Sequence, residues 1–351
     1  MLYLKSSKLD AAYHFATEEF LLRHFDLTQP IVLLWQTVPT IMLGQYQIAD
    51  AETNCDRTTA TAIRIVRRPS GGGAIYTDGG TLLLSLLLPE KRCPSGSVVQ
   101  FPQKAAQNEF ADLLTTALRR LDIPAMLQGR NDILLDGKKI SGMAQHVYRG
   151  RSCTHGSLLF DADLESLSSL LRVDEGKFRS KAVKSIRSRV TNIKEYAQDC
   201  NLPIAHMDTA EFVHTLTQTL IKEGGAQRLR LSSDDEAAIQ RIYQEKYGNP
   251  DWVRKKTPPF SQHTRRRFDA GLLDVYLDIA KGLVTACAIH GDFLGSAPIS
   301  RLEQLLIGLP YNRQEFGQAL TKLATKGTRD EALRPYLGGI SAEEFLSCVF
   351  D

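Results

Sequence analysis

Long apolar runs are missing from this sequence. Nothing in its 351 residues approaches the roughly 20-residue apolar length needed to cross a bilayer, and the opening MLYLKSSKLDAAYHF holds no apolar stretch suited to a secretory signal. Cysteine is equally sparse. The six cysteines, Cys55, Cys93, Cys153, Cys200, Cys287 and Cys348, are scattered, with no CxxC and no short-spaced Cys/His set of the zinc-holding kind. A reducing compartment fits that pattern, and the expected location is the cytoplasm. An excess of either charge is lacking too. With 43 basic and 40 acidic residues the net charge is +3, too even a balance to argue for a nucleic-acid partner. No internal repeat or low-complexity tract is visible.

What is present is ordinary globular composition, 43% hydrophobic and 24% charged, in a chain long enough for two domains. Apolar spacing predicts a helix from Asp10 to Phe25 and another through Phe110, Leu114, Leu118 and Leu121, broken at Pro124. Short apolar runs at Ile31 to Trp35, Thr40 to Gly44, Ile63 to Val66 and Leu82 to Leu88 read as strands, the last buried on both faces. Asp136-Gly137 is the turn of a hairpin whose arms are Asp132 to Leu135 and Lys139 to Gly142. Gly156 to Phe160 reads as a strand and Leu164 to Leu171 as a short helix. Asp208 with Glu211, and Ser233 with Glu236, resemble capping boxes opening two later helices, the second ending near Gly248. Residues 248–262, with Pro250, Pro258, Pro259 and the run Arg254, Lys255, Lys256, read as a linker. Beyond it, Leu272 to Ile279 and Leu283 to Ile289 form a hairpin, with helices starting at Ser300 and Asn312.

Three segments carry chemistry. In Arg67-Arg-Pro-Ser-Gly-Gly-Gly-Ala-Ile-Tyr-Thr-Asp78, the consecutive glycines Gly71, Gly72 and Gly73 point to a backbone that something must approach closely. Amide groups in such a turn bind anionic oxygens, and Arg68 beside them can hold a phosphate or carboxylate. A flexible turn with a solvated arginine pair is the plainer alternative. In the hairpin, Lys139 can serve as a fixed point charge where negative charge builds up on a reacting oxygen. Lys138 next to it faces the other way, so one of the two is a surface lysine. The third segment, Lys181 to Asn192 (KAVKSIRSRVTN), is either a phosphate-contacting loop or an exposed basic face.

Together, RRPSGGGAIYTD, GRNDILLDGKKISGMAQ with HGSLLFDADL, and KAVKSIRSRVTN resemble, in order and spacing, the signature regions of two-domain lipoate-protein ligases. YGNPDW at 247–252 and FDAGLLDV at 268–275 extend the resemblance to nearly the whole chain. It implies an α/β (α+β) fold of the biotin/lipoate-protein ligase type, with a central mixed sheet flanked by helices and a small α+β C-terminal accessory domain. The implied layout is a catalytic domain at 1–247, a linker at 248–262 and the accessory domain at 263–351. The implied reaction activates lipoate with ATP, assisted by Mg2+, to lipoyl-AMP and pyrophosphate. The acyl group then passes to a lysine of a lipoyl-carrier protein, either the glycine cleavage H protein or an acyltransferase domain of a 2-oxoacid dehydrogenase. The enzyme is expected to be a monomer without nucleic-acid or membrane partners.

By the same resemblance, Arg68 and the backbone of Gly73, Ala74, Ile75 and Tyr76 line the nucleotide and acyl site. Lys139 touches the lipoate carbonyl and the α-phosphate, Ser70, Asp132 and His155 are further candidates, and the 181–192 loop covers the adenylate. The metal ligands are not identifiable. His155 is equally readable as a core histidine. Many relatives carry histidine where Thr77 stands; a threonine cannot act as base or cation, so Thr77 has no catalytic role. The lipoate carboxylate is already ionised at neutral pH, so its adenylation needs no base. An octanoyl or lipoyl transferase on this scaffold would need a nucleophilic cysteine before the hairpin, where the chain reads Leu127-Gln-Gly-Arg-Asn-Asp132; Cys153 is the nearest thiol. Biotin ligation would call for a GRGRxGR-like loop. A binding module without activity is the non-enzymatic alternative.

Overall fold

The computed structural model describes residues 1–52, 63–92, 98–99, 103–129, 131–166, 189–254, 260–323 and 327–351. Several sequence expectations fall outside them: residues 181–188 of the basic segment, the expected helix beyond Ser166, Arg130, and the linker residues 255–259 with Lys255, Lys256, Pro258 and Pro259. The described chain divides into two compact units. One comprises residues 1–42, 52–67 and 75–253; the other comprises 43–51, 68–74 and 254–351.

The strands of the first unit are β1 (Leu2–Lys5), β2 (Ile31–Trp35), β3 (Thr40–Leu43), β4 (Arg64–Arg67), β5 (Ile75–Thr77), β6 (Thr81–Leu88), β7 (Lys91–Arg92), β8 (Val98–Val99), β9 (Met126–Gln128), β10 (Asp132–Leu135), β11 (Lys138–Tyr148), β12 (Arg151–Leu159) and β13 (Gln227–Arg228). Eight of them form one mixed sheet in the order β13-β1-β2-β6-β12-β11-β10-β9, parallel from β13 to β2 and antiparallel beyond. The helices of this unit are α1 (Ala11–Arg23), α2 (Gln103–Arg119), α3 (Ile193–Asp199), α4 (Thr209–Glu223), α5 (Ser233–Ile242) and α6 (Pro250–Arg254).

Period-two alternation divides the apolar runs between two cores. From β2 and β6, Val32, Leu34, Leu82, Leu84, Leu86 and Leu88 pack with Phe110 and Leu114 of α2 and Phe212 and Leu216 of α4. Ile31, Leu33, Trp35, Leu83 and Leu87 point the other way, onto Phe15, Leu21 and Leu22 of α1 and Ile239 of α5. This is why both strands read as unbroken apolar runs. Ser85 interrupts the second on the α1 side, where it is fully buried.

Most expected elements are present, with local shifts. The helix expected to open at Ser233 with Glu236 is capped one residue earlier, by Ser232 with Asp235, and continues through a π turn at Tyr243–Tyr247. The strand expected from Gly156 begins at Arg151, because residues 151–158 pair with β11 and residues 152–159 with β6. The runs β2 and β3 enter different sheets: β3 lies between β4 and β5 in a separate three-stranded sheet. Within the expected linker, Pro250–Arg254 is a helical turn.

In the second unit, β14 (Gln262–Phe268), β15 (Gly271–Ala280) and β16 (Leu283–Gly291) form an antiparallel sheet. Leu273, Val275 and Leu277 pack against α7 (Ser300–Leu306), α8 (Arg313–Leu323), α9 (Arg329–Leu337) and α10 (Ala342–Phe350) through Leu302, Phe316, Leu333 and Phe345. The sequence reading did not find β14, α9 or α10. No helix among the described residues is long and apolar enough to cross a membrane.

Candidate active site

The hairpin forms as Asp136-Gly137 requires. Both residues take positive φ, 49° and 72°, the torsions of a tight turn whose twist matches its strands. On its second arm Lys138 is exposed, while Lys139 is partly buried with Nζ 2.7 Å from Asp132 Oδ1. A Cβ placed on Gly142 would lie 2.7 Å from that Nζ, so the glycine makes the space the ammonium occupies. Beyond the Ser141–Leu158 pair, β11 changes partner: the Lys139 amide donates to the Arg189 carbonyl at 2.7 Å, and Thr191 N donates back to the Lys139 carbonyl at 3.1 Å. The described end of the basic segment is thus bonded to the lysine that the sequence singled out. Asn192 continues the clamp through paired side-chain bonds to the main chain of Ala162, and Asn131 holds Met143 by donating its side-chain amide to the Met143 carbonyl and accepting from the Met143 amide at its own main-chain carbonyl.

Ile75 and Tyr76 lie on β5, paired with Met42 and Ile41. Burial, with the charges of Asp78 and Asp163, raises the Tyr76 phenol above its ordinary value. Thr77 is fully buried, its hydroxyl 2.8 Å from that of Thr37. Asp78 accepts from Gly80 N and Thr81 through one oxygen and from Asp163 N through the other, which closes the turn into β6.

The two arginines before the glycines differ in kind. Arg67 is fully buried and donates to the carbonyls of Trp252 and Val253, while the Trp252 indole donates to the Arg67 carbonyl at 2.9 Å. Burial lowers this guanidinium to about 10. Arg67 therefore fastens α6, and no sequence signal distinguished it from Arg68.

Arg68, Ser70, Gly71, Gly72, Gly73 and Ala74 belong to the second unit. The Arg68 guanidinium curls over its own loop, donating to Ser70 Oγ at 3.2 Å and to the carbonyls of Gly71 and Gly73 at 2.8 and 2.7 Å. The glycines have separate reasons. A Cβ on Gly71 would meet the Phe293 carbonyl oxygen at 2.3 Å, and Gly72 has φ 93°. Around Gly73 a Cβ would meet nothing within 4 Å. The close approach expected of the triglycine is made in part by protein backbone, and Gly73 is the position that leaves space.

His155 sits on β12 with 6% exposure, and its Nδ1 donates to Glu18 Oε2 of α1 at 2.9 Å. Glu18 is completely buried and also accepts from Ser85 Oγ at 2.6 Å. Burial by itself raises the Glu18 carboxyl, but the charge and hydrogen bond of His155 outweigh it and hold the group below its usual value. Sequence reasoning missed Glu18, which lies 137 residues from its partner. Ile75, Tyr76, Asp132, Lys139 and His155 all lie in the first unit.

Solved lipoate ligases share this fold over different lengths of the chain. LipL1 of P. falciparum, solved in complex with lipoate, superposes with a TM-score of 0.76 over 95% of this chain and 98% of its own, at 21% identity. A lipoate-protein ligase A solved with ATP bound gives 0.57 over 72% and 97%, also at 21% identity. At such identities the likeness is one of fold.

The chain belongs to the lipoyl protein ligase A/B family: the model of that family's catalytic domain matches residues 10–221, and that of the bacterial lipoate protein ligase C-terminus matches residues 257–349. Lipoate-protein ligase LplJ of Bacillus subtilis (strain 168) is 34% identical across the whole of both chains. The lipoate–protein ligase of Streptococcus pyogenes serotype M5 (strain Manfredo) is 33% identical over 97% of this chain and 96% of its own.

Proposed function

We infer that this chain is an ATP-dependent ligase that attaches lipoate to protein. The lipoate carboxylate attacks the α-phosphorus of ATP, giving lipoyl-AMP and pyrophosphate, and the ε-amine of a carrier lysine then displaces AMP to form the amide. Adenylation replaces a poor leaving group with a good one, so the protein has mainly to position the reactants and neutralise charge. The observation that carries the reading is the Lys139 ammonium, held beside Asp132 in a space that Gly142 leaves open.

In this reading Lys139 faces the lipoate carbonyl and the α-phosphate oxygens, stabilising the charge that develops on both. Arg68, Ser70 and the backbone from Gly71 through Tyr76 line the nucleotide and acyl site, with Asp132 and His155 as supports. Mg2+ prefers phosphate and carboxylate oxygens and retains water ligands, so ATP itself would supply much of its coordination. Asp132 is the half-exposed carboxylate at Lys139 that fits such a role. Residues 1–247 form the catalytic portion and 263–351 the accessory domain. The carrier is a lipoyl domain of the H-protein or 2-oxoacid dehydrogenase type, and the enzyme acts as a cytoplasmic monomer.

The transferase alternative is not favoured. The thiol nearest the hairpin in sequence, Cys153, is fully buried, and burial together with Glu18 pushes it well above its ordinary value. The deciding experiment supplies lipoate, ATP and Mg2+ and measures pyrophosphate release, then adds each carrier and follows lipoylation by mass. Pyrophosphate release without carrier is the expected result. Acyl transfer from an octanoylated carrier in the absence of ATP would overturn the reading.

A further inference from the structure

Glu18, His146, Cys153 and His155 come from three elements and converge on the α1 face of the large sheet. Cys153 and His155 are two residues apart on β12, and His146 is the cross-strand partner of Cys153 on β11, so all three share one face. Glu18 reaches them from α1. One ligand atom from each of the four lies within 4.8 Å of every other.

We propose that these four side chains form a binding site for a borderline divalent cation of the Zn2+ type, joining α1 to β11 and β12. Two imidazoles, a thiolate and a carboxylate are a zinc donor set; the sulfur ligand disfavours Mg2+ and Ca2+, which take oxygen. Bond lengths of about 2.0–2.3 Å place tetrahedral ligands roughly 3.3–3.8 Å apart, so the observed spread closes with side-chain shifts of about 1 Å. The Glu18–His155 pair, now hydrogen-bonded at 2.9 Å, would open by about 0.5 Å as the metal replaces the shared proton. His146 Nδ1 is a buried nitrogen without a hydrogen-bond partner, although the residue as a whole is partly exposed. A metal would satisfy the cluster through either ring nitrogen and give that residue a reason to point inward.

An outer shell is also in place. The Trp35 indole donates to Ser85 Oγ at 3.1 Å, and Ser85 donates to Glu18, which fixes the carboxylate as ligands in metal sites are commonly fixed. Cys153 would bind as the thiolate, releasing its proton to solvent. His155 is common to this cluster and to the proposed nucleotide and acyl site, so metal binding is measured without ATP or lipoate.

The test uses full-length protein stripped with a chelator and titrated with Co2+, whose thiolate complexes absorb characteristically. One equivalent per chain should bind with a sulfur-to-metal absorption, and added Zn2+ should displace it and raise the melting temperature. Cys153→Ser should abolish that absorption, while Cys200→Ser, which alters an exposed cysteine, should leave it intact. Loss of an outer-shell partner alone costs about 10- to 100-fold in metal affinity, so Glu18→Gln should weaken Co2+ binding by about 100-fold. Should Cys153→Ser fail to fold, His146→Ala at the partly exposed position takes its place, with circular dichroism as the folding check. No saturable absorption in the parent protein, or an absorption that survives Cys153→Ser or vanishes in Cys200→Ser, would overturn the site.

Discussion

The Lys139 ammonium lies 2.7 Å from the Asp132 carboxylate, across a hairpin whose register shifts between Ile133 and Leu134. Both side chains are more than a third exposed, so the pair adds little to stability and leaves the cation available to a substrate. Lys139→Ala should cut pyrophosphate release by about 100- to 1,000-fold, the scale seen when one donor to a developing oxyanion is removed. Its unfolding free energy should move by less than about 1 kcal/mol. Parallel pyrophosphate and urea-unfolding measurements on one preparation check both, and a fully active Lys139→Ala would end the assignment.

Gly142→Ala tests the space rather than the charge. The added methyl would overlap Lys139 Nζ, the mobile end of a long side chain, so the fold should tolerate it while the ammonium is displaced. We expect kcat for adenylation to fall by about tenfold or more with the melting temperature nearly unchanged, since small misplacements of catalytic groups cost rate steeply. Steady-state kinetics on lipoate and ATP would show it; unchanged kcat would mean that the lysine's position is not limiting.

Arg67 should behave as a structural residue. Arg67→Leu strands the Trp252 and Val253 carbonyls and should cost about 3 kcal/mol in unfolding free energy. A variant that unfolds like the parent would show that α6 is held by other means.

His14 supplies a pH dependence. Its Nε2 donates to the Lys8 carbonyl at 2.8 Å, its ring lies 4.5 Å from that of Trp35, and burial lowers it to about 4 against the opposing influence of Glu18 and Asp10. Between that value and the unfolded value of 6.5 the unfolded chain binds the extra proton. Stability is therefore fully present above pH 6.5 and declines as pH falls toward 4, by about 2 kcal/mol from this group at pH 5. Urea midpoints at pH 7 and pH 5 measure the decline, and His14→Phe should remove about 2 kcal/mol of it, leaving the share of His146, which burial also lowers to about 4.

The hairpin, the α1 helix and the leucine-rich strand were legible because each is a local pattern: Asp-Gly at a tight turn, apolar residues on one helical face, an unbroken apolar run. β14 was not. Its sequence QHTRRRF is mostly exposed, so no alternation marks it, and its place in the sheet comes from pairing with β15. The division of labour between Arg67 and Arg68 depends on residues 252 and 253, far along the chain. Likewise the cluster around Glu18 assembles from an N-terminal helix and two later strands, each unremarkable when read alone.

Because the peptide groups of Lys139 bond to Arg189 and Thr191, the amide of that lysine is a built-in reporter. Its exchange with deuterated solvent is governed by how firmly residues 189–191 are seated, independently of fraying at the hairpin tip. Slowing of that single exchange rate on addition of ATP and lipoate would register occupancy of the site without any label or product.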